Sequence, residues 1–282
     1  MPVLVTSAQR SLPRRIARRL LDEGGEVRAY ADGDASSLRA AGAMVASGEV
    51  DDEGRLEAAM EQAHTVVHVG GGLLSPDRDA LERDAEVVAT AAANAGVRRV
   101  IVLSLPGADP DAAEPLRRVK GRVEQRFARA AVPSIVLRTS WVDTAASADA
   151  MLTSGLATEL SDVEIAPVRV EDLVELVVAF DRARSSAAEG HLVVAADGPE
   201  RITLGEHLRR REQGRPSLVG RRLPDPTVVS GLRAAVAGGP WWSADPVVVD
   251  GWSFTGLTPR TCGDTGPTGD GAAGTIPDAD RG

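Results

Sequence analysis

Residues 2–33 read PVLVTSAQRSLPRRIARRLLDEGGEVRAYADG, and this stretch decides the fold. Residues 2–6 are short, apolar and β-favouring, which predicts a strand. Residues 14–23 follow a helical period. Ile16, Leu20 and Leu21 fall on one face, and Arg14, Arg15, Arg18 and Arg19 on the other. Pro13 suits the first helical position, because the N–H it lacks has no intrahelical acceptor there. Gly24-Gly25 stops the helix, and residues 26–31 predict a second strand. Strand, turn, helix, strand is the repeating unit of a parallel α/β sheet.

The rhythm continues. Residues 56–63 predict a helix, 65–69 a strand, and 78–95 a long helix with Leu81, Ala85, Val88, Ala89 and Ala92 inward. Residues 100–104 predict a strand, 114–131 a helix with Val119, Val123 and Phe127 inward, and 134–138 a further strand. Strands that are apolar throughout and separated by helices imply a doubly wound parallel sheet covered on both faces. After Trp141 the pattern loosens: helix 171–181, strand 191–195, and helix 203–211 capped by Thr203. Residues 1–140 therefore form the sheet-bearing part, and 141–257 a smaller C-terminal lobe of the same domain. Residues 258–282, rich in Gly, Asp, Thr and Pro, are expected to be a disordered tail. Trp241, Trp242 and Trp252 are expected to pack against the lobe, with a substrate-pocket role as the alternative. No internal repeat is present.

The 282 residues suit one large α/β domain. Aromatic residues make up only 3%, so the core is built from Ala, Val and Leu. A formal charge of -9 disfavours nucleic acid and anionic membranes as partners. The single cysteine, Cys262, excludes an internal disulfide and a multi-cysteine metal site. With no signal-peptide pattern at the start and no apolar run approaching ~18 residues, the expected location is the reducing cytoplasm. No His/Asp/Glu cluster has metal spacing, and neither a nucleophile elbow nor a phosphate-cradling P-loop occurs. His64 and His68 read as core or near-core residues, while His191 and His207 are isolated.

Four segments carry a family resemblance: VRRVIVLSLPGADP (97–110), HTVVHVGGG (64–72), SIVLRTSW (134–141) and PVRVEDLVELVVAF (167–180). Over residues 1–210 the chain resembles the atypical and extended short-chain dehydrogenase/reductases, especially the NmrA-like NAD(P)-binding group. The resemblance implies a Rossmann-type sheet and a dinucleotide at the first loop. It places candidate cofactor contacts at Thr6, Ser7, Arg10, Ser11, Asp32, Glu49, Val50, Gly70, Gly71 and Lys120, and candidate catalytic groups at Ser104 and Lys120. It implies no metal.

The motifs depart from the family pattern. The first loop of the family is normally T-G-A-T-G-x-x-G, and here the three glycine positions hold Ser7, Arg10 and Pro13. None of these takes positive φ freely, so dinucleotide affinity is expected to be weak. Two readings stay open: Arg10, helped by Ser7 and Ser11, replaces amide contacts to the diphosphate, or the site has decayed and Arg10 is solvated. The Tyr-x-x-x-Lys signature ends at Lys120, but the residue four before it is Leu116, and the only tyrosine is Tyr30. A leucine gives no proton, so the usual acid is missing. Lys120 is also the only lysine among 32 cationic residues, which suggests that an ammonium matters there. Asp32 favours a free ribose diol, hence NAD over NADP if either binds, with a plain Asp32-Gly33 turn as the alternative. Gly48-Glu49-Val50 matches the adenine-contacting segment.

Three functions are compatible with these residues. One is a weak nucleotide binder with a regulatory or redox-silent role, working with a protein partner. A second is an oxidoreductase, lyase or isomerase acting on a small carbonyl compound through Ser104 and Lys120. The third is a structural relative that binds no ligand.

Overall fold

A computed structural model of the chain describes residues 1–71, 78–153, 156–182, 190–212, 248–249 and 252–253. The first half alternates strictly: β1 (Val3–Val5), α1 (Ser11–Asp22), β2 (Val27–Ala31), α2 (Ser36–Ala40), β3 (Met44–Ser47), α3 (Glu53–Met60), β4 (Thr65–His68), α4 (Arg78–Asn94), β5 (Arg99–Ser104), α5 (Pro115–Arg129) and β6 (Ser134–Arg138). The second part comprises β7 (Trp141–Asp143), α6 (Ala145–Thr153), α7 (Leu156–Glu159), β8 (Glu164–Ile165), β9 (Pro167–Arg169), α8 (Val170–Arg182), β10 (His191–Ala195), β11 (Ile202–Thr203) and α9 (Leu204–Glu212). Val248–Val249 (β12) and Trp252–Ser253 (β13) pair with each other antiparallel.

Seven strands form one sheet in the order β10-β6-β5-β4-β1-β2-β3, and every neighbouring pair is parallel. The order reverses between β1 and β4, which creates a crevice at the carboxyl edge of the sheet. One face is covered by α1 and α8, with Ile16, Leu20, Leu173, Val177 and Phe180 buried against Val5, Val67 and Ile101. The other is covered by α3, α4 and α5, with Leu56, Met60, Val88 and Phe127 packed on Leu4, Val66 and Val136. A third cluster runs from Trp141 to Leu208 and joins Met151, Leu160 and Ile165.

Local chemistry fixes the element ends. Helix α1 begins at Ser11, so Pro13 is its third residue rather than its first. The N–H that proline lacks is still one of the unpaired donors of the first turn, so no helical bond is lost. Helix α3 starts at Glu53, earlier than its apolar period suggests, because the Asp52 carboxylate accepts from Arg55 N at 3.2 Å. Helix α5 starts at Pro115, where the Glu114 carboxylate accepts from the amides of Leu116 (2.9 Å) and Arg117 (2.6 Å). The short helix α2 and the edge strand β3, half exposed over its four residues, lack the apolar periodicity that would delimit them in the sequence. The expected disordered tail, Trp241 and Trp242 lie outside the described residues, and Trp252 falls in β13.

Candidate functional site

A cleft of about 350 Å³ opens at the carboxyl edge of the sheet, where the strand order reverses. Four segments supply one side: the β1–α1 loop and first residue of α1 with Arg10 and Ser11, the segment after β4 with Gly70 and Gly71, the end of β5 with Ser104, and α5 with Leu116 and Lys120. The opposite side comes from the segment after β6 and the start of α6, with Trp141, Val142, Thr144 and Ser147. The structure thus brings together Arg10, Ser11, Gly70, Gly71, Ser104 and Lys120. Thr6, Ser7, Asp32, Glu49 and Val50 do not line the cleft.

The first loop keeps its turn without its glycines. Ser7 nevertheless adopts φ 50, the left-handed conformation that a glycine would take without strain and a serine takes at a cost. Arg10 needs no such freedom, since its φ of -79 and ψ of 156 are extended. No side chain caps α1, and Pro13 has no N–H, so the amides of Ser11 and Leu12 are the donors this helix end offers an anion. Thr6 is fully buried, and its hydroxyl lies 3.0 Å from His68 Nδ1 and 3.4 Å from the Val67 carbonyl, so it serves the strand framework.

Asp32 is exposed just beyond β2 and accepts a hydrogen bond from Gln9 Nε2. Glu49 is also exposed, and its carbonyl accepts from the buried Tyr30 hydroxyl at 3.0 Å. The only tyrosine therefore braces the segment after β3 and does not reach the cleft.

Lys120 is almost fully buried, and its ammonium donates to the Leu103 carbonyl at 3.4 Å, one residue before Ser104. Burial lowers its pKa to about 8, against the opposing pull of Glu124. Glu124 is held in a two-pronged pair by Arg138, through Nε at 3.0 Å and Nη2 at 2.6 Å. His68 lies under the same spot. Burial and the neighbouring Lys120 charge push it down to about 3, so it stays neutral. Gly70 sits between them at φ 66, and a Cβ there would stand 3.5 Å from both Lys120 Nζ and His68 Nε2. The Ser104 hydroxyl is buried and has no hydrogen-bond partner among the described residues.

The lobe side of the cleft escaped the sequence reading. The structure supplies what the sequence did not: β7 begins three residues after β6 ends, so the chain at 141–147 crosses the carboxyl edge of the sheet. Behind it, His207 Nε2 meets Asp143 Oδ1 at 3.1 Å, and Arg211 bonds the same oxygen, tying α9 to β7. Those contacts give His207 a structural partner. Among the described residues no group of three or more His, Cys, Asp or Glu side chains could hold a metal, and no helix is long and apolar enough to cross a membrane.

Asp197 adjoins this wall, fully buried, with Oδ1 accepting from Ser140 N. Burial raises its pKa to about 6. Its charged form is disfavoured in the folded chain, so the cost is absent below pH 4, grows between pH 4 and 6, and is complete above 6. Asp197→Asn keeps an acceptor for Ser140 and should stabilise the protein by about 2 to 3 kcal/mol at pH 7.5, with no gain at pH 4. Denaturant titrations at the two pH values check this, and an equal effect at both would contradict the assignment.

The sequence model of a family described as NAD(P)H-binding matches residues 8–165. A curated relative, (4-alkanoyl-5-oxo-2,5-dihydrofuran-3-yl)methyl phosphate reductase of Streptomyces griseus subsp. griseus, is 31% identical over 221 residues, covering 76% of this chain and 74% of the relative. Among solved structures, the Citrobacter sp. triphenylmethane reductase complexed with NADP(H) superposes with a TM-score of 0.66 at 16% identity, over 87% of this chain and 93% of that one. A nucleoside-diphosphate-sugar epimerase from Staphylococcus aureus gives a TM-score of 0.66 at 14% identity, over 86% and 93%. At such identities the structural likeness speaks to the fold alone.

Proposed function

This chain belongs to the NAD(P)H-binding family, in the atypical short-chain dehydrogenase/reductase group, and from that premise we propose that it is a reductase of a small conjugated carbonyl compound. The observation that carries the reading is that Ser104, Lys120 and the β1–α1 loop face one cleft.

The residues present fit the nucleotide. The uncapped end of α1 with Arg10 suits a diphosphate, Gly70 leaves room beside Lys120, and Ser104 offers an uncommitted hydroxyl. When bound, the reduced nicotinamide supplies a hydride. Lys120 would hold the ribose hydroxyls and Arg10 the phosphates. Asp32, exposed beyond β2, disfavours a 2′-phosphate and so favours NADH over NADPH. Affinity is expected to be weaker than low micromolar, since only Ser11 and Leu12 offer amides at the α1 end.

Leu116 occupies the position of the family's tyrosine and has no proton to give. An isolated ketone leaves a strongly basic alkoxide after hydride addition and needs such an acid. A conjugated carbonyl does not: hydride adds to the β-carbon, the electron pair moves to the carbonyl oxygen, and the delocalised enolate takes its proton from water. Ser104 would donate to that oxygen. The Streptomyces relative is named for a phosphate ester whose ring has a C=C bond conjugated to its carbonyl.

The test is oxidation of NADH in the presence of benzylideneacetone or its saturated analogue. The conjugated compound should be turned over and the saturated one should not. Ser104→Ala should lower the rate about 10²-fold. Nucleotide binding without turnover of any conjugated carbonyl would favour the redox-silent reading instead.

A further inference from the structure

Most polar groups on the lobe side of the cleft are already committed. Thr144 and Ser147 cap each other at the start of α6: Thr144 N donates to Ser147 Oγ at 3.1 Å, and Ser147 N to Thr144 Oγ1 at 2.9 Å. Ser147 Oγ donates further to the Val142 carbonyl at 2.9 Å. Ser140 N serves Asp197, and Ser140 Oγ lies 3.5 Å from the Ala166 carbonyl. No charged side chain among the described residues lines this side; Arg10 and Lys120, the cations of the cleft, belong to the nucleotide side.

Against this background two uncommitted donors stand out. Trp141 Nε1 and Ser104 Oγ are both buried, belong to residues that line the cleft from opposite sides, and have no hydrogen-bond partner among the described residues; Thr139 Oγ1, the third such atom in the cleft lining, faces the Asp197 carboxylate. An indole N–H only donates, and a buried donor left unpaired costs about 1 to 3 kcal/mol. The fold tolerates this at Trp141 although the ring itself is well supported, packed in the third cluster and edge-on to His207 at 6.3 Å.

We propose that Trp141 is a specificity-determining residue: its Nε1–H and the Ser104 hydroxyl together bind the oxygen of an uncharged, mainly apolar carbonyl compound. The claim deepens the reductase reading and rests on it for the identity of the site. The apolar body of the ligand would lie against Leu12, Val69 and Val142, which are half-buried on the cleft walls. No cation on the lobe side would offset the desolvation of an anionic group, so an uncharged ligand is preferred there, in contrast to the phosphate-bearing compound for which the Streptomyces relative is named.

The probe is the uncharged naphthyl ketone prodan, whose emission moves to the blue when its carbonyl loses a hydrogen bond. Prodan should bind saturably. Trp141→Phe, which keeps an apolar ring and removes the donor, should weaken it about five- to tenfold and shift its bound emission to the blue. Ser104→Ala should do the same. NADH affinity should be unchanged in Trp141→Phe, and the anionic naphthalene sulfonate ANS should not compete with prodan. Prodan that fails to bind, binds Trp141→Phe with unchanged affinity and emission, or is displaced by ANS at similar concentrations overturns the proposal. Loss of NADH binding with prodan still bound as described would instead remove the reductase reading and leave this subsite standing.

Discussion

Lys120→Met should make the protein more stable at pH 7 and less able to bind its nucleotide. The Lys120 pKa falls from 10.5 to about 8 because the ammonium is buried with one carbonyl as its hydrogen-bond acceptor. A lowered pKa on a base means that the folded state holds the charge at a cost. That cost is complete below pH 8 and fades as pH rises towards 10.5, where the unfolded chain also becomes neutral. The depression corresponds to about 3 kcal/mol, and methionine fills a similar volume with no charge. The gain should therefore be about 3 kcal/mol at pH 7 and should vanish near pH 10.5, as read by denaturant titration at both values. NADH affinity should fall in the same variant, by about 1–3 kcal/mol for a lost charged hydrogen bond. A stabilised protein that binds less well is the signature of a residue kept for function. A variant that is destabilised at pH 7 would show that the ammonium serves the fold.

The second large effect is expected one residue further on. Gly121 lies in α5 where the helix crosses the β5–α5 connection. A Cβ there would come within 2.1 Å of Asp109 C and 2.3 Å of Pro110 N. These are backbone atoms and cannot rotate away. Gly121→Ala should therefore cost at least the ~3 kcal/mol upper end of usual overpacking penalties. It should also weaken NADH binding, because α5 carries Lys120 and must retreat from the connection. Gly54→Ala in α3 is the matched control. Nothing lies within 4 Å of its added Cβ, so it should be neutral or stabilising by up to about 1 kcal/mol. Thermal unfolding of the pair checks the contrast, and equal melting points would contradict the close approach.

The sheet was readable because its signal is local. Residues 134–138 and 191–195 are strands with the bounds their apolar runs suggest. The sheet-facing side of α1, Ile16 and Leu20, follows from helical spacing. That Ser104, Lys120 and the β1–α1 loop come together in one cleft was legible because the family resemblance gives them fixed places in the βα repeat. The backbone of that loop was not: Ser7 accepts a left-handed φ that its residue type disfavours, held by tertiary bonds such as Ala8 N to the Tyr30 carbonyl at 3.0 Å. The lobe side was hidden for a different reason. Trp141, Val142 and Thr144 acquire a role only when β7 pairs with β9, whose partner residues Pro167, Val168 and Arg169 lie far along the chain. No short-range period encodes such a contact. His68 was correctly placed in the core, yet its closeness to Lys120 depends on α5 folding back over β4 and β5.

Because Lys120 is the only lysine, isotopic labelling with lysine places a single side-chain resonance inside the cleft. Titrating NADH into that sample shows whether the nucleotide reaches Lys120, without any substrate or turnover. The Lys120 signal should move saturably with NADH, and at lower concentrations with NADH than with NADPH. A Lys120 signal that stays still while NADH demonstrably binds, or an absence of NADH binding at millimolar concentration, would contradict a nucleotide held at Lys120.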